Sequence, residues 1–189
     1  NNVQASAEAN STESPSTETK PTNSEIIFPM TAASSRYWQF VSDRVMGGVS
    51  AGQLQFVQDE GDRAFARMTG NVSTANNGGF IQFRAGIRFA GSAQGGADLK
   101  GVRITARGNG ETYYVHLRTR ANNRPQHYFA APFTVTVDWQ TFILPFDSFD
   151  HSRGMAIDHP SAENLTSIGI VAYGRNHRAD ISVAAVAFY

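Results

Sequence analysis

From Ile26 onward the chain alternates apolar and polar residues with a period of two, interrupted at short intervals by glycine. Side chains of an extended strand point to opposite faces in turn, so this rhythm builds half-buried strands rather than helices, whose apolar positions recur every three or four residues. Val102, Ile104 and Ala106 alternate with Arg103, Thr105 and Arg107. Tyr113, Val115 and Leu117 alternate in the same way with Tyr114, His116 and Arg118, and Phe133, Val135 and Val137 with Thr134, Thr136 and Asp138. Further runs at residues 53–57, 63–68, 79–89, 126–130, 141–144, 167–172 and 181–188 bring the expected total to about ten strands. Asn76-Asn77-Gly78-Gly79, Gly95-Gly96 and Gly108-Asn109-Gly110 supply residues that tolerate positive φ and read as hairpin turns. Helical signal is confined to residues 34–40 and 161–165, the second with Ser161 placed to cap it. Many short strands separated by glycine-rich turns predict an all-β chain, a β-sandwich of the jelly-roll type.

The first 25 residues break this pattern. Fifteen of them are Ser, Thr, Asn or Pro, and none is aromatic. Such a segment buries too little apolar surface to offset its ordering entropy, so residues 1–25 are expected to be a disordered tail ahead of one β-sandwich domain at 26–189. A polar start at Asn1 suits a precursor trimmed of its signal or transit peptide, which leads to the expectation of an exported, periplasmic or organellar protein.

Beyond the tail stand 15 basic and 12 acidic side chains, without the basic excess of a nucleic-acid binder. No apolar run approaches the roughly 18 to 20 residues that carry a helix across a bilayer. There is no cysteine, which excludes disulfides, a thiol nucleophile and thiolate metal sites. The histidines His116, His127, His151, His159 and His177 contain no H-x-x-x-H or H-E-x-x-H spacing, and no serine lies in a G-x-S-x-G elbow. Gly108-Asn109-Gly110 and the glycines from Gly91 to Gly96 open no helix that could cradle a phosphate. No catalytic residue and no cofactor are therefore expected. Asp147, Asp150 and Asp158, in a loop shared with His151 and His159, are weak candidates for a hard cation such as a structural calcium.

The wet faces of three strands are the candidate binding surface. Arg103, Arg107, Tyr114, His116 and Arg118, joined by His127, would form one basic and aromatic face if their strands are neighbours in a sheet. Tyr and Arg are common at binding hot spots, and aromatic platforms with hydrogen-bonding neighbours also suit sugars. Trp38 and Trp139 adjoin apolar runs and read as core.

The most distinctive stretch runs Trp38-Gln39-Phe40-Val41-Ser42-Asp43-Arg44-Val45-Met46-Gly47-Gly48-Val49-Ser50. Paired glycines allow a tight turn or close backbone approach, and Asp43 beside them is placed to accept backbone N–H groups. Together with Gly70-x-Val72-Ser73, Asn77-Gly78-Gly79-Phe80, Arg107-Gly108-Asn109-Gly110-x-x-Tyr113, Leu144-Pro145-Phe146-x-x-Phe149 and Arg153-Gly154, this stretch resembles the complex I intermediate-associated protein 30 family. The resemblance runs from about Trp38 to the C-terminus. It implies a galactose-binding-domain-like jelly roll without catalytic residues, in which Trp38, Asp43, Met46, Gly47, Gly48, Asn77, Gly78, Gly79 and Phe80 are family-motif positions with a structural role. It also implies a protein partner, since the mitochondrial members act as chaperone-like assembly factors of NADH:ubiquinone oxidoreductase. The alternative reading, from the sandwich shape and the Tyr114, His116, Arg118 face, is a carbohydrate-binding module of an exported protein.

Overall fold

The computed structural model describes residues 25–59, 61–88, 98–156 and 158–189. The expected tail, apart from Glu25, and the glycine turns between Gly91 and Gly96 lie outside them. Among the described residues twelve strands form two antiparallel sheets, a jelly-roll β-sandwich. The first sheet runs β3 (Ala51–Gln58), β4 (Ala64–Val72), β12 (His177–Phe188), β6 (Gly101–Gly108), β9 (Gln140–Pro145), with β1 (Ile26–Pro29) also paired to β12. The second runs β10 (Asp150–His151), β8 (Phe129–Thr134), β7 (Thr112–Thr119), β11 (Leu165–Tyr173), β5 (Phe80–Gly86), β2 (Gln39–Ser42).

The alternation does what it promised along β6 and β7. Val102, Ile104, Ala106, Tyr113, Val115 and Leu117 are all fully buried, in one core with Phe83, Ile168, Ile170, Ile181 and Val183. Fully burying one such aliphatic or aromatic side chain contributes about 1.5–3 kcal/mol, so a stripe from each sheet face is what fastens the two layers.

Local differences have local causes. The runs at 126–130 and 133–137 are one strand, β8, because Pro132 sits where β8 has lost its outer neighbour: β10 covers only Phe129 and Ala130. Proline is tolerated at such an edge. Since β8 stops at Thr134, the alternation does not continue, and Val137 is 79% exposed instead of facing the core. The segment at 34–40 is a 3₁₀ turn, Ala32–Tyr37, that gives way to β2. Ser161 precedes a 3₁₀ turn at Ala162–Asn164, but its hydroxyl accepts the Asn164 side chain at 3.0 Å and caps no backbone N–H. β1, β2 and β10 were not anticipated; at four, four and two residues they are too short to show a period.

The larger correction concerns the turns. Asn76-Asn77-Gly78-Gly79 and Gly108-Asn109-Gly110 do adopt positive φ, at Asn76 (58°), Asn77 (59°), Gly79 (131°) and Gly110 (81°). Yet neither is a hairpin: β4 and β6 belong to the first sheet, β5 and β7 to the second, so both connections are arches. The second arch is tied down by its own residues. Asn109 donates to the Arg178 carbonyl (2.9 Å) and accepts from the Tyr113 hydroxyl (2.8 Å), which itself accepts from the Asp180 N–H (2.8 Å). Consequently Arg103 and Arg107 lie on the outer face of the first sheet, and Tyr114, His116 and Arg118 on the outer face of the second. The single surface expected from these residues does not exist. Alternation tells which way a side chain points, not which strands are neighbours.

Trp139 is also displaced from its expected core position. It lies half-buried on the outer face of the first sheet, with the guanidinium of Arg107 4.6 Å and that of Arg63 4.9 Å from its ring centroid. Its edge meets Phe65 at 5.6 Å. Trp38 is in the core as expected, edge-on to Phe83 and Phe28.

Candidate functional site

The family-motif residues converge on a buried carboxylate. Asp43 is fully buried and opens a 3₁₀ turn, Asp43–Met46, that ends at Gly47 in the left-handed conformation. Its carboxylate accepts from the Ser50 N–H (2.9 Å), the Ser50 hydroxyl (2.6 Å) and the Gly79 N–H (2.6 Å), with the Phe80 N–H at 3.4 Å. Burial alone would raise its pKa, but these donors outweigh burial and hold it below the ordinary carboxylate value. Ser50 extends the connection to β4 by accepting from the Ser73 N–H at 2.9 Å. Gly48 and Gly78 lie against the carboxyl group so closely that an added Cβ would stand 2.4 Å from an Asp43 atom in each case. The motif is therefore a clamp joining the loop after β2, the start of β3, the end of β4 and the start of β5. Both carboxylate oxygens of Asp43 are engaged in it.

The clamp holds an apolar loop out to solvent. Val45 is 74% and Met46 61% exposed, and Val49 is exposed beside them. Val45 and Met46 form one end of a groove of about 760 Å³ that crosses the outer face of the second sheet. Its floor comes from outward positions of β2, β5, β11 and β7, whose register aligns Val41, Gln82, Val171 and Tyr114 in one row and Gln39, Arg84, Gly169 and His116 in the next. Gly169 stands between Arg84 and His116 in that row, and the Gln82 side chain lies over it, its amide oxygen 2.9 Å from where a Cβ would be.

An aromatic cluster closes one side. Tyr128 stacks on His116 (4.2 Å, 11°), Tyr173 meets His116 edge-on at 5.6 Å, and Tyr114 lies 4.6 Å from Tyr173. The His116 Nε2 is buried with no hydrogen-bond partner. Burial, with the Arg118 charge added, pushes the His116 imidazole down to about 3, so it is neutral at physiological pH. Burial likewise raises the Tyr173 phenol, which the neighbouring Tyr128 and Tyr114 reinforce. Arg118 donates to the Pro125 carbonyl (2.8 Å) and the His127 carbonyl (3.1 Å), fixing the loop that leads into Tyr128.

Of the expected surface, the groove thus holds His116 and Arg118 on its lining, with Tyr114 behind Tyr173. Arg103 is elsewhere, paired with Glu25, and Arg107 lies on Trp139. His127 sits in the loop before β8 and contributes its carbonyl rather than its ring. Gln82, Arg84, Tyr128 and Tyr173 were missed as site residues. The alternation of Phe80, Gln82 and Arg84 against Ile81, Phe83 and Ala85 was available in the sequence, but not the pairing that sets β5 beside β11. Among the described residues no three His, Asp or Glu side chains gather as a metal site, so Asp147, Asp150 and Asp158 form no such cluster.

Solved structures similar to this chain share the jelly-roll sandwich at the level of fold. The family 11 carbohydrate-binding module from Clostridium thermocellum, in complex with a beta-1,3-1,4-mixed-linked tetrasaccharide, is similar with a TM-score of 0.62 at 14% identity, covering 87% of this chain and 94% of that one. The same kind of module of the cellulosomal cellulase Lic26A-Cel5E of Clostridium thermocellum gives 0.60 at 13% identity, covering 80% and 86%. A family 30 carbohydrate-binding module gives 0.50 at 14%, covering 74% and 91%. No curated relative matches the sequence. The family model for complex I intermediate-associated protein 30 matches residues 28–182, and the chain belongs to that family.

Proposed function

We propose that this chain is a non-catalytic binding module that holds a segment of a partner protein in the groove of the second sheet, a chaperone-like role of the assembly-factor kind. The observation that carries the reading is the exposed pair Val45 and Met46 at the groove's rim, set there by a fully buried carboxylate. Large apolar side chains rigidly presented to water gain by being covered, and methionine is enriched at protein interfaces. A flexible loop would lose that gain to ordering entropy; this one is ordered beforehand by the clamp. The family membership supports the same reading.

The test is a photo-cross-linking residue placed at position 46, with position 143 on the opposite face as control, in cells that make the protein. Discrete adducts from position 46 alone, containing subunits or assembly intermediates of complex I, are expected. Equal labelling from both positions, or adducts without any respiratory-complex subunit, would reject the assembly role.

The Tyr128, Tyr173 and His116 cluster favours a second reading, a glycan lying across the groove; the similar family 11 module is in complex with a beta-1,3-1,4-mixed-linked tetrasaccharide. Binding of a neutral β-glucan oligosaccharide that Tyr128→Ala abolishes would establish it over the first.

A further inference from the structure

We infer that the occupant of the groove is an acidic extended peptide, with an apolar side chain at the Met46 end and a carboxylate about four residues away at Arg84. This rests on the protein-binding reading and names the chemistry of the partner. The groove is lined by two guanidiniums, Arg84 and Arg118, and among the described residues no aspartate or glutamate lines it. The two cations lie close enough that the Arg84 charge, after burial, adds to the lowering of the Arg118 pKa, so they oppose one another without a counter-charge. Arg118 is occupied by loop carbonyls. Arg84 has no hydrogen bond or carboxylate partner among the described residues, and it lines the groove. An anion seated there relieves the opposition and fills an unsatisfied fork of donors.

The spacing follows from the strand beneath. Phe80, which lines the groove together with Met46, and Arg84 are outward positions four residues apart on β5, roughly 13 Å at about 3.3 Å per residue. An extended chain laid along β5 repeats that distance, so its apolar and acidic side chains fall four residues apart on the same face. The exposed valine and methionine at one end select a peptide over a glycan, whose hydroxyl-rich surface gains little from aliphatic contact.

The experiment is selection of a displayed random 12-residue peptide library on the purified chain, run in parallel on Arg84→Glu and on Met46→Ser, with oligogalacturonate titrated calorimetrically as the acidic-glycan probe. Selected peptides are expected to be rich in Asp or Glu four residues from an aliphatic residue. Arg84→Glu should lose that acidic preference, and individual wild-type-selected peptides should bind it roughly tenfold or more weakly. Arg84→Lys, which keeps the charge, should retain most of the binding, and melting curves of all variants check that they fold. Peptides selected without acidic bias, or equally bound by Arg84→Glu, overturn the acidic partner while leaving the protein-binding groove standing. No peptide selected, with oligogalacturonate bound in an Arg84-dependent way, overturns the peptide altogether and gives the groove to an acidic glycan. No binding of either probe overturns both the inference and the reading beneath it.

Discussion

The two outer faces of the sandwich arise from the same alternation, yet they end their polar groups differently. On the first sheet Arg67 makes two bonds to Asp180, at 2.9 and 2.8 Å, Thr105 meets Thr141 at 3.0 Å, and Arg103 pairs with Glu25. Arg63 and Arg107 lie over Trp139. On the second sheet Arg84 has no such partner among the described residues, and the His116 Nε2 has none. A face whose groups are already satisfied has little to gain from a ligand. The second face has unsatisfied polar groups, stacked aromatic rings and a fixed shape, and that imbalance is the ground on which it is proposed as the binding side.

The comparison breaks most decisively at the clamp, because it fixes the loop that carries Val45 and Met46 and ties the second sheet to the ends of β3 and β4. Asp43→Ala leaves the N–H groups of Ser50 and Gly79 buried without an acceptor, and is expected to cost about 3 kcal/mol or more in urea denaturation. Gly48→Ala, which forces a Cβ into the Asp43 carboxyl, should cost about 2 kcal/mol. A loss under about 0.5 kcal/mol for Asp43→Ala, the range of an ordinary surface change, would remove the clamp from the account.

How much of this was readable beforehand divides along the same line. The turn at Asp43 was recognisable because its chemistry is local: a carboxylate next to the paired Gly47 and Gly48 asks for backbone donors, whereas the Gly79 N–H arrives from 36 residues away. The inward positions of β6 and β7 were readable because period two fixes the face. The groove was not, because it needs the pairing of β5 with β11 and of β11 with β7, between residues more than 45 positions apart in sequence. The loops gave no help, since an Asn-Gly turn with positive φ serves a hairpin and an arch alike. Trp139 was misplaced for a related reason: an aromatic beside an apolar strand can be buried from outside, by arginines laid over a sheet, as well as from within.

Acid titration separates the two layers of the second face. His116 is held neutral down to about 3 by burial and by Arg118, whereas an unfolded imidazole titrates near 6.5. Between those values the unfolded chain binds the additional proton, so stability is full above 6.5 and falls as pH drops toward 3. Asp43, with a pKa below 3.8, adds its own loss only once the pH falls under that value. His116→Phe, which keeps a ring against Tyr128, should flatten the upper part of the profile and leave the lower part. An unchanged slope between pH 6 and 4, as an order-of-magnitude window set by those titrations, would mean that the imidazole reaches water in the folded chain.

Met46→Ser tests presentation without touching stability. The side chain is 61% exposed, so unfolding should shift by no more than about 0.5 kcal/mol. Partner cross-linking through the groove should nevertheless weaken several-fold, since a rim residue acts only when it is covered. If capture is unaffected, the groove is used without its apolar end.

The smallest effect is expected on the first face. Arg67→Gln removes the bidentate pair with Asp180, but the arginine side chain is 47% and the aspartate 30% exposed, and such pairs are screened by solvent and salt. The expected cost is about 0.5 kcal/mol at low salt, shrinking as salt is added, with no change in groove binding. A substantial loss of binding from Arg67→Gln would show that the two sheets act together through the core. The paired face would then share the recognition assigned here to the open one.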